Sequence, residues 1–124
     1  MNVKRANHAC MVDQKTSTIH VMGGRGQNYN YLSSTEKLKF NDVNRKWEMA
    51  SNLKEPLQVS AAVSSRSNEF VGYLVGGTTN NGATSKIWVL RRSDQQWIET
   101  SKRLRIARSS HTVVNAYENQ IPNC

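Results

Sequence analysis

The chain has 124 residues, enough for one modest core, and carries 17 Lys and Arg against 9 Asp and Glu, a net charge of +8 that admits an acidic or polyanionic partner. Its two cysteines, Cys10 and Cys124, are too few for a disulfide framework and fit a reducing compartment, and with no Asn-x-Ser/Thr sequon they point to a cytoplasmic location. No stretch reaches 18 consecutive apolar residues, so no helical membrane span is expected, and the amino end, MNVKRANHAC, has no signal-peptide core.

In chain order the texture is that of short strands. His8 to Val12 is a small apolar run, and Ile19 to Met22 is a β-rich run that ends in Gly23-Gly24, where the chain turns without a Cβ penalty. Arg25 to Ser34 is dense in Asn, Gly and Ser and reads as a loop. Thr35 to Phe40 alternates polar and apolar residues, as a half-buried strand does, and the polar turn Asp42 to Arg45 leads into a fourth strand over Lys46 to Met49. The same series then returns. Ser60 to Val63 and Val71 to Val75 read as strands before Gly76-Gly77, Thr78 to Thr84 as a loop, and Ser85 to Leu90 and Gln96 to Glu99 as two more strands. His111 to Val114 opens a third series, for nine strands in all, and Ile121 stands where its next strand is due.

This is an internal repeat. Gly23-Gly24 returns as Gly76-Gly77 after 53 residues, Trp47 as Trp97 after 50, and Leu53 as Leu104 after 51. Arg5-x-x-His8 returns as Arg108-x-x-His111 after 103, about two periods, with Leu57 and Ser60 at the intermediate copy. The repeat divides the chain into units over about 5–52 and 53–104 and the start of a third over 105–124.

The order Arg-x-x-His, strand, Gly-Gly, loop, strand, a large apolar residue seven before Trp (Phe40 and Leu90), then Leu resembles the kelch repeat over nearly the whole chain. The chain departs from the family where Phe40 and Leu90 replace its usual Tyr, Leu57 its Arg and Ala107 its Pro. The resemblance implies an all-β fold: two four-stranded antiparallel blades plus one strand of a third, part of an incomplete β-propeller. In that fold Gly23, Gly24, Gly76 and Gly77 carry the turns, and Trp47 and Trp97 fill the gaps between blades. Propellers close with about 4 to 8 blades, so the open sheets call for the remaining blades of a longer chain or for self-association.

Catalytic signatures are missing. Gly77 to Gly82 resembles a phosphate-binding loop but lacks its Lys and precedes a strand, and Gly24-Arg-Gly26 lacks the third glycine of a dinucleotide fingerprint. His8 and His111 share one repeat phase, and His20 has no neighbouring ligand at metal spacing, so neither a metal nor a cofactor is expected. Charge is the more informative feature. Residues 91–108 hold Arg91, Arg92, Lys102, Arg103, Arg105 and Arg108 against Asp94 and Glu99. In kelch propellers the inter-blade connections and the loops after the glycines commonly grip a partner. By that resemblance Arg25, Tyr29, Tyr31, Arg103, Arg105 and Arg108 are the expected contacts for a protein or acidic peptide, and the chain is expected to be a non-enzymatic interaction module, such as the substrate-recruiting part of a ubiquitin-ligase adaptor or a cytoskeletal scaffold. The alternative is a nucleic-acid-associated protein that uses residues 91–108.

Overall fold

The structure is a computed structural model that describes residues 1–115. Its strands are β1 (Ala9–Asp13), β2 (Thr18–Met22), β3 (Thr35–Lys39), β4 (Trp47–Ala50), β5 (Ala61–Ser64), β6 (Phe70–Val75), β7 (Thr78–Thr79), β8 (Gly82–Ala83), β9 (Lys86–Arg91) and β10 (Trp97–Arg103). They form two four-stranded antiparallel sheets, ordered β1-β2-β3-β4 and β5-β6-β9-β10, and a small β7-β8 hairpin. The only helical turn among the described residues is a 3-10 turn at Gln27–Tyr29.

The period-2 pattern sets the faces. In β1, Ala9, Met11 and Asp13 are buried while Cys10 and Val12 are exposed. Ala9, Met11 and Met22 from the first sheet join Val71, Leu74, Trp88, Leu90 and Trp97 from the second in one core, closed by Leu53 and Leu57 from the connection between them. The first strands of the two sheets are tied directly, since the Ser64 hydroxyl donates to the Val12 carbonyl at 2.6 Å.

The repeat is written in the backbone as well as in the side chains. Gly24 N–H donates to Leu57 O and Gly77 N–H to Arg108 O, each at 2.8 Å. Leu53 N–H donates to Ser33 O and Leu104 N–H to Ser85 O, again each at 2.8 Å. Asn7, Val59 and Ser110 all adopt a left-handed backbone, and Val59 N–H donates to Asn7 O as Ser110 N–H donates to Val59 O, each at 2.9 Å. The glycine pairs are needed where they stand. Gly23 and Gly76 have φ of 59° and 57°, and a Cβ there would lie 2.2 Å from Leu57 O and 2.6 Å from Arg108 O.

Several expectations change. His111 to Val114 is not a strand: the segment has its repeat anchors, but among the described residues nothing forms a ladder with it, and a strand is held by that ladder. The expected strand at Ile121 lies outside the described residues. The loop at Thr78 to Thr84 contains the hairpin β7-β8, closed through Asn80-Asn81 with the Thr79 hydroxyl accepting from Asn81 N–H at 3.1 Å. The register also corrects the seven-residue spacing. Trp97 pairs with Leu90, but Trp47 pairs with Leu38, and Phe40 stands in the following turn, 41% exposed. That turn is two residues longer than its counterpart after β9, which displaces the aromatic from the ladder.

The two tryptophans are therefore unequal. Trp97 is 2% exposed and shares a small cavity with His20, Met22 and Thr35 of the first sheet. Trp47 is only half-buried and lies outside the core, because no sheet among the described residues covers its face.

Candidate interaction surface

β2 and β6 end, and β3 and β9 begin, at the same end of the two sheets, which therefore carries the post-glycine loops and the connections after β4 and β10. Arg25 is held there by a backbone pair with Ala6, donating to Ala6 O at 2.7 Å and accepting from Ala6 N–H at 2.9 Å. Its guanidinium stacks 4.7 Å from the centre of the Tyr29 ring. Tyr29 is 75% exposed, and both it and Asn28 are left-handed, with φ of 61° and 58°. Two consecutive non-glycine residues in that region cost energy, and the turn spends it on presenting an aromatic ring to solvent. Tyr31 pairs with Arg25 across the base of the loop and is half-buried.

Of the other expected contacts, Arg103 ends β10, and Arg105 and Arg108 lie in the connection after it. Arg103 is paired with Glu99 and donates to Lys102 O at 3.0 Å, so its charge is partly committed. Arg105 is exposed, with no ion pair among the described residues. Arg108 is exposed too, and its Nε donates weakly to Ile106 O at 3.5 Å. The surface thus has two parts, Arg25–Tyr29–Tyr31 and Arg103–Arg105–Arg108, and no bond joins them.

The cations over residues 91–108 are less free than their number implies. Arg91 pairs with Asp94, whose carboxyl the Arg91 hydrogen bond pulls down to about 2. Arg92 reaches from the turn after β9 to Asp13 at the end of β1, at 2.6 Å, and also donates to Phe70 O at 3.2 Å, stapling the two sheets. Burial pushes the Asp13 carboxyl up, but hydrogen bonds from Arg92 and Thr16 outweigh it and the net shift is downward.

Two further groups escaped the sequence reading. Arg5 and Glu36 form a wholly buried ion pair at 2.8 Å; Arg5 also donates to Gly23 O and Ser34 O, each at 2.8 Å, and Glu36 accepts from Val3 N–H at 3.1 Å. Burial drives the Glu36 carboxyl up, and the backbone donors and Arg5 reverse the shift. His20, 4% exposed, has its imidazole pushed down to about 4, chiefly by burial, with Asp13 opposing and Lys37 and Arg92 assisting. A charged residue at an inward strand position was the available signal for Glu36.

Among the described residues no three His, Cys, Asp or Glu side chains stand close enough to hold a metal ion, and no helix is long and apolar enough to cross a membrane. No family model and no curated protein matches this chain. What the fold and surface define is an all-β protein of two repeated four-stranded antiparallel sheets with a half-buried Arg25 stacked on an exposed Tyr29 at one end.

Proposed function

We propose that the chain is a segment of a kelch-type β-propeller that acts as a non-enzymatic protein-interaction module, each four-stranded sheet being one blade. The backbone bonds that recur at a spacing of about 50 residues support the repeat, and Trp97 packed against the neighbouring sheet supports blade-on-blade stacking. The kelch resemblance makes a cytoplasmic adaptor or scaffold the natural setting.

The observation that carries the binding role is the Arg25–Tyr29 stack, in which a left-handed turn holds the Tyr29 ring out to solvent over a half-buried Arg25. A rigid aromatic beside a guanidinium suits a peptide that offers an apolar side chain next to a carboxylate, and Arg105 adds an uncommitted cation at the same end. The nucleic-acid reading is weaker, because Arg91, Arg92 and Arg103 already spend their charge on Asp94, Asp13 and Glu99.

The test is capture of an immobilised library of acidic, aromatic-containing peptides by the full chain, followed by titration of the best binder. Tyr29→Ala and Arg25→Ala should each weaken binding by about tenfold with the fold intact by circular dichroism. Equal capture by the folded variants would remove this surface from the site. Preferential binding of a DNA oligonucleotide, falling steeply with salt, would instead favour the nucleic-acid alternative.

A further inference from the structure

Of the chain's seven glycines only Gly82 follows an asparagine, so Asn81-Gly82 is its single Asn-Gly step. That step lies at the tip of the β7-β8 hairpin, whose strands have two residues each, pair Thr78 with Ala83 and Thr79 with Gly82, and join neither four-stranded sheet. Asn80, Asn81 and Gly82 are exposed, and a Cβ added to Gly82 would meet nothing within 4 Å. The Thr79 hydroxyl accepts from Asn81 N–H at 3.1 Å and donates to Gly82 O at 3.2 Å, and the Asn81 side-chain amide has no hydrogen bond among the described residues. So short a ladder, outside the core, opens at small cost and frees the main chain around Asn81.

The chemistry of such a step is self-contained. When Gly82 N–H gives up its proton, the nitrogen attacks Asn81 Cγ. The new C–N bond closes a succinimide, and the side-chain nitrogen leaves as ammonia with the proton. Water then opens the ring: addition at the side-chain carbonyl gives aspartate, and addition at the main-chain carbonyl gives isoaspartate, in which the chain runs through Asn81 Cβ and Cγ. Water enters and ammonia leaves, with no oxidant, reductant or cofactor. Glycine is the residue that allows the attack, since a Cβ there crowds the approach to Cγ and restricts the backbone. The neighbouring asparagines lack this feature. Asn80 precedes Asn81, and Asn68 precedes Glu69 and accepts a hydrogen bond from the Lys15 ammonium.

The hairpin is the second-repeat counterpart of the Arg25–Tyr31 loop. Thr78 N–H donates to Gln58 O at 2.8 Å and Gln58 N–H to Thr78 O at 3.0 Å, as Arg25 and Ala6 exchange bonds in the first repeat. A carboxylate formed at residue 81 is ionised at neutral pH and takes one unit from the net charge of +8, at the end of the molecule that carries the Arg25–Tyr29 stack.

We propose that Asn81-Gly82 is a site of spontaneous deamidation, which converts Asn81 to isoaspartate and aspartate as the chain ages and opposes an acidic ligand at that end. The effect on a ligand rests on the interaction role proposed above, whereas the modification itself does not.

The full chain is incubated at neutral and at mildly alkaline pH and digested with trypsin, which releases residues 67–86 with Asn68, Asn80 and Asn81 in one peptide. Mass spectrometry should show NH replaced by O at residue 81, faster at the higher pH, with Asn68 and Asn80 unchanged. An enzymatic methyl-acceptor assay should detect isoaspartate, and Asn81→Gln should remove both signals with the circular dichroism unchanged. A synthetic peptide of residues 78–84 gives the intrinsic rate. Conversion of that peptide while Asn81 stays intact in the folded chain, or conversion of Asn68 or Asn80 as fast as Asn81, overturns the proposal. Converted chain should bind the best acidic peptide about twofold more weakly than fresh chain, and equal affinity would overturn the charge effect. Failure of fresh chain to capture any peptide counts against the interaction role alone.

Discussion

At the residue scale the first sheet buries an ion pair where the second buries Leu57 and Trp88. Taking two charges out of water is costly, and further bonds offset that cost for Arg5–Glu36. Arg5 donates to Gly23 O and Ser34 O and Glu36 accepts from Val3 N–H, which leaves Arg5 Nε as the one guanidinium nitrogen without a partner among the described residues. Removing one partner alone strands a charge. Arg5→Leu is expected to destabilise the protein by about 3–5 kcal/mol, whereas Arg5→Leu with Glu36→Val should recover most of it, because an apolar pair of similar volume replaces a buried ion pair at little net cost. Urea unfolding of the two single variants and the double variant measures the coupling, and additive losses would refute it.

At the element scale, the sequence showed where β1 to β6, β9 and β10 lie, because each has a half-buried pattern and turn residues at both ends. It did not show register. Phe40 and Leu90 stand at one spacing from Trp47 and Trp97, yet only Leu90 faces its tryptophan, since loop length is free to vary while ladder pairing is not. The candidate surface was legible to a similar degree. Arg25, Tyr29 and Tyr31 stand together in one loop, but Arg103 is tied to Glu99 and Arg108 stands at a buried-arginine position of the repeat. The unequal burial of the tryptophans gives a direct check. Trp97→Ala should cost about 3–5 kcal/mol, and Trp47→Ala, half-buried and outside the core, about 1–2 kcal/mol. Equal losses on denaturation would mean that the outer face of the first sheet is covered.

At the scale of the whole molecule, the junction between the sheets is sensitive to acid. His20 lies there with Asp13, Lys37 and Arg92 around it, its pKa pushed from 6.5 to about 4, mainly by burial. Above pH 6.5 the imidazole is neutral folded or unfolded and imposes no penalty. As pH falls from 6.5 to 4 the unfolded chain takes the proton first, so stability drops through that window by roughly 3 kcal/mol. Asp13 and Glu36, both lowered in the folded state, remove further stability below the ordinary carboxylate range. His20→Gln should flatten the loss between pH 6.5 and 4 in urea titrations, and curves parallel to the parent's would exclude His20 as its source.

Strand texture, the positions of the glycine turns and the period of about 50 residues followed from the amino-acid sequence by itself, because each depends on local backbone freedom or on side-chain alternation within a few residues. Which charges are free, which tryptophan is buried and which acid meets Arg5 were decided only by the tertiary structure. Those properties depend on the side chains that a neighbouring sheet or a returning connection brings across, and residues 31 or more positions apart, as Arg5 and Glu36 are, carry no local mark of their pairing.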